Sequence, residues 1–147
     1  MKARTTLSLV ACSAILVGCA SVPMASSTSD SDAKKFTPEP GKASIYINRG
    51  GGIGTAVVFQ TVLDGRIVGA LAPNTFQLLS VTPGEHTVAV GETLEQQKLT
   101  AEAGKNYFFK ASVKFGWVAA QAGIEAISEE EGRKQVTTSK RAETINY

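Results

Sequence analysis

Apolar and polar residues alternate along the stretch from Asn106 to Phe115, which reads NYFFKASVKF. In an extended chain, one face would carry Tyr107, Phe109, Ala111, Val113 and Phe115, and the other would carry Lys110, Ser112 and Lys114. Successive side chains of a β-strand point to opposite faces of the sheet. The stretch therefore predicts a strand with its apolar face in a core and its lysine face in water.

Short apolar runs precede this stretch, and turn residues separate these runs from one another. We predict strands at Ala43–Asn48, Val57–Leu63, Arg66–Ala70, Thr75–Val81, His86–Val90 and Gln97–Glu102. Turn signals lie at Asp64-Gly65, Pro83-Gly84 and Ala103-Gly104-Lys105. An Asp-Gly pair between two such runs is the strongest short-range signal for a β-hairpin, so the second and third strands are expected to pair.

After the decisive stretch the pattern becomes ambiguous. Residues 118–127 are rich in alanine and fit a helix or a strand by periodicity, and we favour a strand near Ile124–Ile127. Ser128 is followed by three glutamates and then by Arg133 and Lys134, which predicts a capped helix over Ser128–Val136. Residues 42–136 thus predict an all-β domain, a small β-sandwich of about seven or eight strands with a short C-terminal helix.

The two flanks of this domain carry no apolar periodicity. Residues 19–41 are rich in Ser, Thr, Pro and Ala after Cys19, which predicts a flexible tether. A free chain of that length would place the domain roughly 25 Å from its attachment point. Residues 137–147 are predicted to form a flexible tail.

The N-terminus has the pattern of an export signal. Lys2 and Arg4 precede an uncharged apolar run from Leu7 to Val17, which is shorter than the roughly 20 residues that span a bilayer. Leu16-Val17-Gly18-Cys19 resembles the lipobox of bacterial lipoproteins. That resemblance implies that residues 1–18 are a lipoprotein signal peptide and that Cys19 becomes the acylated first residue of the mature chain. An ordinary export signal and a retained membrane anchor are the weaker alternatives.

The residues after Cys19 bear on localisation. Ala20 and Ser21 stand where many enteric lipoproteins of the inner membrane carry an aspartate. In a Gram-negative host, the resemblance therefore implies lipid anchoring at the periplasmic face of the outer membrane. Attachment through two or more acyl chains would be stable.

Charge and cysteine content exclude several classes of function. The 147 residues contain 15 basic and 13 acidic side chains, and loss of the signal removes Lys2 and Arg4, which leaves 13 of each. A neutral domain gives no ground for nucleic-acid binding. Cys12 lies in the signal and Cys19 would be acylated, so the mature domain is expected to have neither a disulfide nor a reactive thiol.

Candidate contact residues lie on and just after the decisive stretch. Phe108 shares the predicted wet face with Lys110 and Lys114, so either a second layer covers it or it is exposed to a ligand or partner. Trp117 follows shortly after. Aromatic rings on an open sheet face stack on sugars or fill pockets of a partner protein. These four residues are the predicted contacts for an envelope protein or for cell-wall glycan.

No catalytic or metal-binding constellation is predicted. His86 is the sole histidine and cannot form a multi-histidine metal site, so we predict a structural role and expect no cofactor. Asp64 and Glu85 lie in predicted turns, and nothing in the sequence brings these two carboxylates together.

A family resemblance covers most of the domain. The motifs that carry it are Ala43–Ile47 with Arg49-Gly50-Gly51, Leu63-Asp64-Gly65, Pro83-Gly84-x-His86-Thr87, Ala103-Gly104-Lys105-x-Tyr107-Phe108 and Glu130–Lys134. Through these motifs the chain resembles the bacterial lipoprotein family named domain of unknown function 2846, and it is also similar to PEGA-type surface modules. The resemblance implies a small β-sandwich without an assigned activity.

The sequence therefore predicts a non-enzymatic, membrane-anchored lipoprotein that faces the periplasm and binds or organises an envelope component. A glycan-binding module is the second hypothesis, and an uncharacterised envelope enzyme is the third.

Overall fold

The computed structural model describes residues 21–52, 57–91, 95–115 and 120–145. Its elements in chain order are α1 (Ser27–Ala33), β1 (Ala43–Arg49), β2 (Phe59–Leu63), β3 (Arg66–Leu71), β4 (Thr75–Val81), β5 (Gly84–Val90), β6 (Gln96–Ala101), β7 (Asn106–Phe115), β8 (Ala120–Ile127), α2 (Glu129–Thr138) and β9 (Lys140–Arg141).

The strands form two sheets. The first sheet has the order β8-β7-β1-β4-β9, and the second has the order β3-β2-β5-β6. Most neighbours are antiparallel, but β1 pairs with β7 and β4 pairs with β9 in parallel. The predicted all-β sandwich with a C-terminal helix is confirmed.

Turn chemistry explains the hairpin between β2 and β3. Asp64 and Gly65 both have positive φ values, 50° and 78°, which is the backbone that an Asp-Gly hairpin turn requires. A bulge between Thr61 and Val62 then shifts the register of the pair. The predicted pairing of these two strands is confirmed.

The main core lies between the two sheets and joins residues of all the long strands. It includes Ile45, Ile47, Phe59, Val68, Leu71, Leu79, Val88, Val90, Phe109 and Ile124. The apolar face predicted for β7 enters this core at Phe109 and Ala111, with Tyr107 and Val113 packed at its margin. Phe115 is 71% exposed, so the prediction that it belongs to the core is wrong.

A second layer covers the outer face of the first sheet, where α1 and α2 pack. Its buried residues are Ala33, Tyr46, Phe76, Phe108 and Val136, with Phe36, Leu78 and Ile127 at the margin. The cover explains why all seven residues of β1 are buried, although its sequence alternates. It also decides the alternatives for Phe108: the second layer covers this ring.

Helix α2 follows the predicted capping pattern. Ser128 is its N-cap and accepts a hydrogen bond from Glu131 N, and three glutamates occupy the first turn. The helix approaches β7 closely at Gly132, where a Cβ atom would overlap Cγ and Cδ1 of Phe108. Glycine therefore sets the distance between the helix and the sheet.

The prediction of a flexible tether over residues 19–41 is wrong for the part that contains α1. Ser26 caps this helix by accepting from Ser29 N, and the buried Tyr46 hydroxyl donates to Ala33 O over 2.8 Å. Burial raises the pKa of Tyr46 to about 12, so the hydroxyl keeps its proton. A cap and a tertiary contact stabilise a polar helix that has no apolar periodicity of its own.

The prediction of a flexible tail over residues 137–147 is also wrong for its described part. The tail begins within α2, and β9 then pairs with β4. Ala142 is fully buried, and Ile145 N donates to Val68 O over 2.8 Å. The tail therefore runs from the edge of the first sheet to β3 at the edge of the second.

Candidate functional site

His86 joins two turns at one end of the second sheet. Its Nδ1 lies 2.7 Å from Asp64 Oδ2, and its Nε2 lies 2.8 Å from Thr82 O. The other carboxylate oxygen of Asp64 accepts from Thr87 N over 2.8 Å. We call these three residues, Asp64, Thr82 and His86, the turn clasp, because they connect the β2–β3 turn with the segment between β4 and β5.

Both ring nitrogens of His86 face acceptors, which favours the doubly protonated imidazolium. Partial burial acts against that charge, but the hydrogen bonds to Asp64 and Thr82 outweigh it and raise the pKa of His86. For Asp64, burial acts in the opposite direction to the hydrogen bonds from His86 and Thr87, and the hydrogen bonds lower its pKa. Both shifts stabilise the ion pair.

The clasp leaves His86 without a free nitrogen for proton transfer, which agrees with the structural role predicted for it. The sequence places Asp64 in a turn, but no local pattern in it indicates the contact of Asp64 with His86. Leu63 pairs with Val88 in the β2–β5 ladder, and this register brings the neighbouring Asp64 to Thr87 and His86. Knowledge of that strand pairing would have shown the contact.

Of the residues predicted to contact a ligand or partner, Phe108 lies in the second layer, while Lys110 and Lys114 form ion pairs. Phe108 is 4% exposed and stacks on Tyr46 with ring centroids 5.0 Å apart. Lys110 Nζ lies 3.6 Å from Glu125 Oε1, and Lys114 Nζ lies 2.7 Å from Glu95 Oε2. Trp117 lies outside the described residues, as do the lipobox positions Leu16, Val17, Gly18 and Cys19.

One lateral side of the sandwich is covered by the two chain ends, and we call it the closed seam. It comprises β3, β9 and residues 23–25 and 142–145. Pro23 O accepts a hydrogen bond from Glu143 N over 2.9 Å, and Ala25 N donates to Arg141 O over 3.0 Å. Between them, Met24 and Ala142 form an antiparallel β-bridge. Gly69 of β3 bridges Thr144 in turn. Backbone hydrogen bonds thus cover part of each sheet edge on this side.

The opposite side carries the edges of β6 and β8, and we call it the open seam. A groove of about 200 Å³ lies there between β6, β7 and β8, lined by Gln97, Lys98, Asn106, Tyr107, Ile127 and Glu129 among others. Gln97 Nε2 donates to Ile124 O over 3.1 Å and so links the two strand edges at one point.

The backbone of Lys98 points out of the second sheet toward this seam. Its partner across the ladder is Thr87, which directs both its N–H and its C=O to Asp64. Thr87 and Lys98 are therefore a pair without mutual hydrogen bonds, and the N–H and C=O of Lys98 face the free edge. Two residues along, Thr100 O accepts from the Tyr107 hydroxyl over 3.1 Å, which fits the same alternation.

Asn106 adds a polar group to the groove. Its Nδ2 donates to Phe36 O over 2.9 Å. Its Oδ1 is buried, and within the described part of the chain it has no hydrogen-bond partner. A buried acceptor of this kind normally pairs with a donor from protein, water or ligand.

Two kinds of feature are absent from residues 21–52, 57–91, 95–115 and 120–145. These ranges hold no group of three or more His, Cys, Asp or Glu side chains placed to bind a metal ion. Nor do they contain a helix with the length and hydropathy that crossing a bilayer requires.

Comparison with known proteins gives a family and one informative relative. The model of the family described as "Protein of unknown function (DUF2846)" matches residues 39–124. An uncharacterised protein of Haemophilus influenzae is 35% identical over 133 residues, covering 88% of this chain and 79% of the relative. No solved structure matches.

Proposed function

We propose that this chain, which belongs to the DUF2846 family, is a lipid-anchored envelope module that binds an extended segment of another envelope protein along β6 and performs no catalysis. The observation that carries the binding part is the outward-facing N–H and C=O of Lys98 at the open seam, which have no partner within the described part of the chain. The anchoring part rests on the N-terminal sequence.

The anchor is Cys19 in this proposal. The triplet Leu16-Val17-Gly18 directly precedes it, behind a basic start and an uncharged apolar run, as in a lipoprotein signal. Ala20 and Ser21 then favour the outer membrane over the inner membrane. The protein would face the periplasm.

The binding mode is the addition of a strand to an exposed edge. A partner in extended conformation would exchange hydrogen bonds with the N–H and C=O of Lys98, and by alternation with those of Gln96. The buried Oδ1 of Asn106 supplies an unused acceptor nearby. On the closed seam, by contrast, described residues of the tail already pair with Thr75 and Phe76 of β4 and with Gly69 of β3.

The non-catalytic part is supported by the turn clasp. His86 is the sole histidine, and both of its nitrogens bond to Asp64 and Thr82. A general base needs a nitrogen within reach of a substrate proton. The clasp therefore favours a structural imidazolium over a catalytic imidazole.

Replacement of the anchor residue tests the first part. Cys19→Ala should abolish acylation, so that the mature-size membrane-bound form disappears and unprocessed precursor or released protein replaces it. The assay is fractionation of cells combined with mass spectrometry of the N-terminus. A C19A variant that is processed and stays in the membrane fraction like wild type would refute lipid anchoring.

A matched pair at Lys98 tests the second part. Lys98→Pro removes the edge N–H, and it should leave the fold intact because that N–H is outside the ladder. Lys98→Ala removes the side chain but keeps the N–H. A photo-crosslinker at Gln96 should yield one defined adduct in wild-type and K98A cells and lose it in K98P cells. A crosslinker at Lys134 on α2 is the control position.

Circular dichroism of K98P checks that the variant folds. An adduct of equal yield in K98P and K98A would rule out strand addition. The glycan hypothesis ranks second, because the burial of Phe108 removes one of the two aromatic rings expected to stack on sugars. Sedimentation of the protein with purified cell wall, with no crosslinked protein partner, would reverse this order.

A further inference from the structure

The lipid anchor and the folded domain are separated by very few residues. Pro23 already belongs to the closed seam, where its carbonyl accepts from Glu143 N. Four peptide units join Cys19 to Pro23. At most about 3.6 Å per residue, this distance cannot exceed roughly 14 Å. The sequence-based value of roughly 25 Å assumed that the chain was free as far as residue 41.

The segment after Pro23 is fastened at several points and is not available as extra length. Asp30 Oδ1 accepts from Arg141 N, and Lys34 Nζ donates to Ser139 O, both over 2.7 Å. Further along, Phe36 O accepts from Asn106 Nδ2. Release of this segment as a longer tether would break all these contacts and expose the buried Ala33.

Apolar side chains are exposed beside the same attachment point. The closed seam carries Met24 and Ile145, which are 42% and 59% exposed, and Ile67 in β3, which is 51% exposed. Ile67 precedes Val68, whose carbonyl accepts from Ile145 N, and Met24 bridges Ala142 three residues before Ile145. These residues provide three of the six large hydrophobic side chains that are exposed in the described part of the chain.

Charge at this surface is mixed. Arg66 and Lys140 are exposed, and so is Glu143. The basic groups outnumber Glu143, so attraction to anionic headgroups adds to the main favourable term, which is the burial of apolar side chains in the interfacial region.

We propose that the closed seam lies directly on the phospholipid surface that holds the anchor, with Met24, Ile67 and Ile145 in the headgroup region. The proposal rests on acylation of Cys19, as put forward above. It fixes the orientation of the domain: the open seam, on the opposite edge of both sheets, points away from the membrane. A partner would therefore approach β6 from the periplasm.

Fluorescence quenching in vesicles tests the orientation. Full-length acylated protein carrying Ile145→Cys or Lys98→Cys, each labelled with the same thiol-reactive dye, is reconstituted into phosphatidylethanolamine–phosphatidylglycerol vesicles with a nitroxide on the headgroups. We expect quenching at position 145 and none at position 98. A variant with about 20 Gly/Ser residues inserted between Ala20 and Ser21, spanning roughly 25 Å, should lose the quenching at 145.

The outcomes separate the two proposals. Protein that does not float with the vesicles, and carries no acyl mass on Cys19, refutes the anchor. Protein that floats but shows equal quenching at positions 145 and 98 refutes the orientation and leaves the anchor in place. Quenching at position 145 that persists after the insertion refutes the role assigned to the short link between Cys19 and Pro23. The apolar contacts alone would then hold the domain on the vesicle surface.

Discussion

Replacement of Gly132 by alanine tests how closely α2 lies against the sheet. A methyl group at this position would overlap Cγ and Cδ1 of Phe108 and would lie 2.5 Å from its Cβ. The ring cannot move aside easily, because it is stacked on Tyr46 and lies 6.0 Å from the ring of Phe36. The helix must therefore shift away from β7.

Two opposing terms decide the sign of the effect. Alanine in place of glycine inside a helix stabilises by about 1 kcal/mol. Overpacking of a buried contact costs about 1 to 3 kcal/mol, and the upper part of that range applies here because the clash includes Cβ of Phe108 and not just the ring. We expect Gly132→Ala to lower the free energy of unfolding by about 1 to 2 kcal/mol and the Tm by about 3 to 8 °C.

Equilibrium unfolding in urea, followed by circular dichroism, measures this change. Lys134→Ala is the control, since Lys134 is exposed on the same helix and its replacement should change stability by less than about 0.5 kcal/mol. If Gly132→Ala were as stable as wild type or more stable, α2 would not contact Phe108 as described. The close packing of α2 against β7 would then be refuted.

Four other variants have defined expectations. Folding raises the pKa of His86 above its ordinary value of 6.5. The contribution of His86 to the free energy of unfolding is therefore complete below pH 6.5 and is lost as the pH rises through the folded pKa. Urea unfolding at about pH 6 and about pH 9 should show this loss of stability in wild type and not in His86→Gln. The lowered pKa of Asp64 gives a contribution that is present near neutral pH and lost in acid, as the pH falls through its folded pKa, so an acid unfolding midpoint unchanged in Asp64→Asn would contradict the clasp. Arg49→Met removes a buried guanidinium that donates to Leu71 O over 3.1 Å, and chemical denaturation should report a loss of about 1 to 3 kcal/mol, whereas no loss would show that the carbonyl finds another donor. Gly69 has φ of 150°, and a Cβ atom there would overlap Gln77 Nε2. Gly69→Ala should therefore lower the Tm by several degrees, through about 2 kcal/mol of backbone strain and steric overlap. An unchanged Tm would show that the closed seam accommodates the methyl group without loss of stability.

The sequence predicts well whatever depends on local patterns. Alternation in β7, the Asp64-Gly65 turn and the cap at Ser128 each act over a few residues, and all three are present in the structure. The β-sandwich follows from the number and spacing of such runs. The sequence does not predict the neighbours of β1, because its parallel pairing with β7 depends on contacts about 60 residues apart that leave no periodicity in either strand.

The same reason explains the errors at the flanks. Helix α1 has seven residues and one buried side chain, Ala33, so its sequence resembles a polar linker. Its stability comes from Tyr46 and from the tail, which are distant in sequence. The sequence leaves two alternatives open for Phe108, covered or exposed, because half of the layer that covers it comes from α1, a segment with the composition of a linker.

The pairing of the two chain ends also governs the order in which the protein can fold. Asp30 and Arg141 are 111 positions apart, Lys34 and Ser139 are 105 apart, and β1 sits in the middle of the first sheet between partners that are synthesised later. Long-range contacts of this kind require large loops to close first, which slows folding. A chain that lacks its last residues cannot complete the closed seam. The closed seam and the second layer therefore form only after residues 129–145 are available.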